Sequence, residues 1–331
     1  MSSVFVTLPV PVLLALAVFV AGWALHVLTT VPPMAKLRIS PGLASVPPGP
    51  EKELISRIYP EDLFGPDGSY VSLPYGVVKY ALSGPKDGRK VVLIHGLSVP
   101  SVIFKDVASL LVRDGFYVLT YDLYGRGYSD APEVPHSARL YTTQLALLLQ
   151  YLGWSNTRVV GLSMGGGIAA SFVAQFPQLV DRDIVFIAPA GNFPDDYFSR
   201  GIGFLVSSPV QFLLGFRFIR TLRKLPAPPR TKLHAVSLLV NLQFRNLPHF
   251  IRVIASSVRS GPMRGLGQVY RTVGRGPFKV LIIHGTADET VPYRPFISPI
   301  LTDLIPDAKV VTLENVGHDL VITHYEEVGR R

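Results

Sequence analysis

The rhythm of hydrophobic and polar positions changes three times along the chain. Residues 1–35 contain no Asp, Glu, Lys or Arg, and residues 10–28 form an almost unbroken apolar run. As a helix rising ~1.5 Å per residue, that run is about 29 Å long, matching a bilayer core of roughly 30 Å. It predicts a transmembrane helix inside an anchor spanning 1–35. A cleavable signal peptide is the rival reading, supported by Ala15-Leu16-Ala17 and opposed by the length of the run and the lack of any Lys or Arg before it. A buried core helix is the third. Residues 36–68 are rich in proline, with Pro47-Pro48-Gly49-Pro50 at their centre, and read as a semi-rigid tether.

From residue 69 onward short β-branched runs alternate with helical stretches. Strands are expected at 70–71, 77–82, 90–94, 117–121, 158–161, 183–188, 279–283 and 309–313, and helices at 101–113, 137–153, 165–176, 295–305 and 319–328. Alternation of this kind predicts an α/β fold with a mostly parallel eight-stranded sheet and helices on both faces. The stretch between the sixth and seventh strands is far longer than one crossover helix needs. It divides the folded part into a core, 69–190 with 277–331, and a helical cap, 191–276.

Composition narrows the chemistry. With 331 residues, 48% of them hydrophobic and 17% charged, the chain is too apolar to be disordered. The absence of cysteine excludes disulfides, thiolate metal sites and a cysteine nucleophile. The net charge of +9 is lopsided: residues 197–287 hold 14 Lys or Arg and no Asp or Glu, leaving 18 basic residues against all 23 acidic ones elsewhere. Within that segment Phe212, Phe216 and Ile219 share one helical face and Arg217, Arg220 and Lys224 another, the pattern of a basic amphipathic helix. Anionic lipid is the expected partner, ahead of a solvated face or a pocket for an anionic head group. No nucleic-acid module accompanies the charge. Lys36, Arg38, Lys52 and Arg57 follow the apolar run while nothing basic but the amino terminus precedes it, which puts the body of the chain on the cytosolic side of a membrane of unspecified organelle.

Candidate chemistry gathers at expected strand ends, where open α/β sheets hold their ligands. Gly161-Leu162-Ser163-Met164-Gly165 is a G-x-S-x-G between a β-branched run and a helix, a sharp turn that would hold the Ser163 hydroxyl at its crest. A serine needs a base, and the base needs an orienting acid. Asp288 ends the run Ile282-Ile283-His284-Gly285-Thr286-Ala287-Asp288, and His318 lies in Asn315-Val316-Gly317-His318 after the last strand. Glu289 and Asp195 are the competing acids. Among eight histidines, His318 alone stands in a Gly-His of the final loop. Backbone N–H groups of Leu97 and Met164 are the candidate oxyanion donors, with His95 pinning its loop. Residues 121–130, rich in glycine with an Arg and two carboxylates, read as a rigid self-bonded loop.

His95-Gly96, residues 122–129, the G-x-S-x-G with Asp288, and Gly317-His318 fall in an order that resembles the α/β-hydrolase superfamily, over residues 77–327. Within it the chain is similar to membrane-anchored monoacylglycerol-lipase-like and esterase-like members, which likewise carry G-x-S-M-G-G. The resemblance implies a serine hydrolase acting on lipophilic carboxylic esters without metal or organic cofactor. Epoxide hydrolases and haloalkane dehalogenases of this fold carry an aspartate where Ser163 stands. Cofactor-free haloperoxidases or perhydrolases and carbon–carbon bond hydrolases keep the serine and remain alternatives, as does a non-catalytic binding module.

Overall fold

The computed structural model describes residues 11, 15, 17–22, 37–65, 69–193 and 231–330, with Phe296 described by its backbone alone. The chain divides into two units, Met1–Leu37 and Arg38–Arg331. In the first, Pro11, Ala15 and residues 17–22 are helical, and Val18, Phe19 and Val20 are exposed. Most of the expected span 10–28 lies outside the described residues. Among the described ones no helix is long and apolar enough to cross a membrane.

The second unit is built on an eight-stranded sheet. Its strands are β2 (Tyr70–Leu73), β3 (Gly76–Ser83), β4 (Arg89–Ile94), β5 (Phe116–Tyr121), β7 (Thr157–Leu162), β8 (Val180–Ile187), β9 (Lys279–Gly285) and β10 (Lys309–Leu313). The order across the sheet is β10-β9-β8-β7-β4-β5-β3-β2. β3 pairs antiparallel with both its neighbours, and every other pairing is parallel. All eight expected strands are present. Val91, Val92, Leu93 and Ile94 of β4 are 2% exposed or less, as expected of a central strand covered on both faces. A two-stranded pair missing from the sequence reading joins β1 (Ile39–Ser40) to β6 (Ala131–Pro132).

Helix α1 is Pro50–Ile58, α2 Lys105–Arg113, α3 Ala138–Leu152, α4 Met164–Gln175, α5 Lys232–Asn246, α6 Phe250–Ser260, α7 Gly267–Arg275, α8 Leu320–Thr323 and α9 Tyr325–Gly329. A kinked helical segment, Tyr293–Leu301, precedes α8. In α3 the Ser137 side chain caps the first turn by accepting from Leu140 N, and Gly153 at φ 64° ends the last. Between these caps Leu140, Tyr141, Leu145, Leu148 and Leu149 recur at helical spacing and are buried, at about 2 kcal/mol per leucine.

Two expectations need correction. The segment taken as a tether is folded from Arg38 on: Leu43, Val46, Leu54, Ile55 and Tyr59 are buried against Leu238, Leu239 and Leu242 of α5. Proline content dominated that reading, yet Pro50 occupies the first position of α1, where its missing N–H has no helical partner to lose. Glu51 and Glu53 in its first turn and Arg57 in its last suit the helix dipole. The stretch taken wholly as cap also ends in a core element. In α7, Tyr270 and Val273 are buried in the main core, with the Tyr270 ring edge-on to Phe186 at 5.7 Å and its hydroxyl donating to Ala190 O, so α7 is the crossover helix. The described cap is therefore α5 and α6. Asp195 and the expected amphipathic helix around Arg217, Arg220 and Lys224 lie outside the described residues.

Candidate active site

β4 has β5 on one side and β7 on the other, so the direction of winding reverses there and a crevice opens at the carboxyl ends of β4 and β7. Ser163 stands at the end of β7, between Leu162 and the first residue of α4, with φ 56° and ψ −122°. A non-glycine residue in that region stores about 1–3 kcal/mol, sustained only where the surroundings enforce it. Here they do. Ser163 N donates to Ile187 O at 2.9 Å, and Ser163 O accepts from Gly166 N at 2.8 Å and from Ala190 N at 2.9 Å. A Cβ on Gly161 would lie 2.2 Å from Gly165 O, and one on Gly165 would lie 2.1 Å from Ile94 O, so the first glycine lets the turn close and the second lets it press on β4. Ser163 is left 7% exposed.

The loop after β4 passes over this serine. A Cβ built on Gly96 would sit 3.3 Å from Ser163 Cβ and 3.7 Å from its Oγ. Leu97 follows directly. Met164 is the first residue of α4, where an N–H has no partner inside the helix and the helix dipole favours negative charge. His95 is fully buried; its Nε2 accepts from Leu123 N at 2.9 Å and its Nδ1 donates to Gly96 O at 3.0 Å. Burial, aided by the Arg126 charge, pushes His95 down to about 3, so it remains the neutral Nδ1–H tautomer that these contacts require.

Asp288 follows β9 and His318 follows β10, the edge strand beside it. Asp288 Oδ1 accepts from Thr290 N at 2.8 Å and Val291 N at 2.9 Å, and Oδ2 accepts from His318 Nδ1 at 2.7 Å. Burial alone would raise the carboxyl, but the His318 hydrogen bond and charge, with the Val291 amide, outweigh it and hold Asp288 below the usual carboxylate range. Asp288 is 4% exposed while its neighbour Glu289 is exposed, so of the two it is Asp288 that faces His318. The two loops are tied together by Thr286 N to Leu313 O and Ala287 N to Val316 O, both 3.0 Å. Buried His284 lies 3.9 Å from Asp288 Oδ2, donates Nδ1 to Gly285 O at 2.9 Å, and is pushed down chiefly by its burial.

The loop after β5, expected from sequence to be a rigid scaffold, supports more of the site than its composition indicates. Asp122 Oδ1 accepts from Ser101 N (2.9 Å) and Ser101 Oγ (2.8 Å), Oδ2 from Tyr128 N (2.9 Å), and both from the Tyr59 hydroxyl at 3.0 Å. Fully buried Arg126 donates through Nε to Leu97 O at 2.9 Å. No motif joins Arg126 to Leu97, 29 positions earlier. The one available signal was an arginine between two glycines in a loop that also carries Asp122 and Asp130.

The acid-free segment is also less isolated than its composition implies. Lys232 meets Asp106 at 2.8 Å, Arg245 meets Glu51 at 2.8 Å and Arg252 meets Glu133 at 3.8 Å. In the described cap, basic residues face acids supplied by distant parts of the chain.

Comparison with known proteins agrees with this geometry. The alpha/beta hydrolase fold family matches residues 90–325. An uncharacterised protein of Mycobacterium tuberculosis is 38% identical over 109 residues, a match covering 33% of this chain and about a third (31%) of that protein. Lipase 1 of Psychrobacter immobilis is 24% identical over 264 residues, 76% of this chain and 77% of the lipase. Among solved structures, a bromoperoxidase from Bacillus anthracis superposes with a TM-score of 0.63 at 21% identity, covering 80% of this chain and 97% of that one, a likeness of fold. With a family match over residues 90–325, a sheet whose sole reversed strand is β3, and a strained serine where β7 turns into α4, the chain belongs to the α/β-hydrolase fold family.

Proposed function

We propose that this α/β hydrolase is a serine hydrolase that cleaves lipophilic carboxylic esters of the acylglycerol or lysolipid kind. Ser163 Oγ attacks the ester carbonyl as His318 takes its proton, Asp288 holds the imidazole in the required tautomer, and the N–H groups of Leu97 and Met164 receive the tetrahedral oxyanion. His318 then protonates the departing alcohol, and water, activated by the same imidazole, cleaves the acyl-enzyme. The observation that carries this reading is the 2.7 Å contact between His318 Nδ1 and Asp288 Oδ2, made at the ends of β9 and β10 in the sheet whose β7 bears Ser163. Resemblance to bacterial lipases over most of the chain supports an ester substrate. A panel of esters of graded acyl length, assayed with wild type and Ser163→Ala, tests it: turnover that rises with acyl length and falls at least ~10³-fold in the variant is expected. Turnover retained by folded Ser163→Ala would reject it.

In the same reading residues 10–28 anchor the enzyme and Arg217, Arg220 and Lys224 attract anionic lipid, about 1 kcal/mol per residue at the surface. Retention of the full chain in membranes after alkaline carbonate, with protease digestion of the domain from the cytosolic side, is the expected result. A domain protected from that protease would reverse the orientation.

A further inference from the structure

Three successive carbonyls of the loop above Ser163 are each held by a side chain. Gly96 O accepts from His95 Nδ1 at 3.0 Å, Leu97 O from Arg126 Nε at 2.9 Å and Ser98 O from Gln243 Nε2 at 3.1 Å. In a trans peptide the carbonyl and the following N–H point in opposite directions. Fixing the carbonyls of residues 96, 97 and 98 therefore aims the N–H groups of Leu97, Ser98 and Val99. The peptide that carries the Leu97 N–H is pinned by His95 from within the loop, and the peptide on the other side of the Leu97 Cα is pinned by Arg126 from outside it, so Leu97 is held between an internal and an external clamp.

Two of these three clamps lead to the cap. Gln243 lies on α5, and its Oε1 also accepts from Gly127 N at 2.8 Å. Arg126 reaches with Nη2 to Ser257 Oγ on α6 at 2.8 Å, while Nη1 donates to Tyr124 O at 3.0 Å and to the Tyr141 hydroxyl. Gln243, Ser257, Tyr141 and Arg126 are all fully buried. Every acceptor around Arg126 is neutral, and among the described residues no carboxylate pairs with it. Burying a guanidinium without a counter-ion is costly. Apolar side chains would have joined cap to core at less expense, whereas the fork of Arg126 sets direction as well as distance.

We propose that Arg126 and Gln243 are positioning residues that couple cap helices α5 and α6 to the oxyanion loop, so that the seating of the cap governs the chemical step as well as access to it. The proposal rests on the reading that Leu97 N–H receives the oxyanion of an ester substrate. Cap displacement would then lower kcat even for an ester small enough to enter freely.

Gln243→Met preserves length and removes both hydrogen bonds, and Arg126→Lys retains the charge and removes the fork. Full-length variants are assayed on a short soluble ester, and amide hydrogen exchange is followed at residues 96–99. Gln243→Met should lower kcat about 10-fold with KM held within about twofold, and Arg126→Lys should lower kcat at least as much, because transition-state contacts alone are lost. Exchange at 96–99 should speed up in both, while β7 and β8 exchange as in wild type. A folded Gln243→Met with unchanged kcat, with KM raised at constant kcat, or with unchanged exchange at 96–99 overturns the coupling. Should wild type hydrolyse no ester, the proposed activity falls on that result, and the exchange measurement still decides whether the cap clamps the loop.

Discussion

Asp122 and Asp288 are both buried aspartates in loops that follow parallel strands, and their surroundings drive them in opposite directions. Asp288 faces an imidazole and two backbone amides, and the His318 interaction outweighs burial to hold its carboxyl low. Asp122 faces hydroxyls and amides and no cation at hydrogen-bond distance among the described residues, and burial wins, pushing its carboxyl up. Two buried aspartates, Asp122 the more deeply enclosed, thus yield a carboxylate that can orient a base in one loop and a structural node in the other. What separates them is the charge of the nearest partner.

Substitution should separate the two loops cleanly. Asp288→Asn removes the charge that fixes the imidazole tautomer and should cost about 10³ to 10⁴ in kcat with little change in unfolding free energy. Asp122→Asn places an amide donor against the donors of Ser101 and Tyr128; it should destabilise the fold by roughly 2–4 kcal/mol in denaturant titration while kcat per folded molecule stays within about 5-fold. A large kcat loss in folded Asp122→Asn, or a large stability loss in Asp288→Asn, would erase the distinction.

The two carboxyls should also impose opposite pH slopes on stability. A folded-state carboxyl held low contributes stability that is present above the ordinary carboxylate range and lost as pH falls through its folded value. Asp288 behaves in this way. Asp122, held high, keeps a proton the unfolded chain has released, so its contribution declines as pH rises from the ordinary range to its raised value. Subtracting each asparagine variant's stability curve from that of wild type should give a difference that rises with pH for Asp288 and falls for Asp122. Two differences of the same sign would contradict the assignment. The smallest effect is expected at exposed Glu289, next to Asp288 in sequence: Glu289→Gln should leave kcat/KM within about twofold.

The contrast also marks what could be read from the chain. Strands and the residues at their ends were legible because β-branched runs, glycine turns and the order of Ser163, Asp288 and His318 are local signals. Asp122 and Arg126 were visible, but their partners were not. Tyr59 reaches Asp122 from 63 positions away, and Ser257 reaches Arg126 from 131. No periodicity carries such pairings; folding creates them. Residues 38–65 were misjudged for a different reason: proline content stood in for structure, although Leu54, Ile55 and Tyr59 already lay on one side of a short helix beginning at Pro50. Counting charge along the sequence leaves the acid-free stretch without local counter-ions, whereas Arg245 finds Glu51 across 194 positions.

The central claim is that Ser163 is the nucleophile and that Asp288 and His318 activate it. Fluorophosphonate labelling of the full chain, followed by peptide mapping, addresses it without knowledge of the natural substrate. A single adduct on the peptide carrying Ser163 is predicted, absent in Ser163→Ala and formed at least about 10²-fold more slowly in His318→Ala and Asp288→Asn. An adduct on another residue, or labelling of Ser163 at an unchanged rate in both folded variants, would contradict the account.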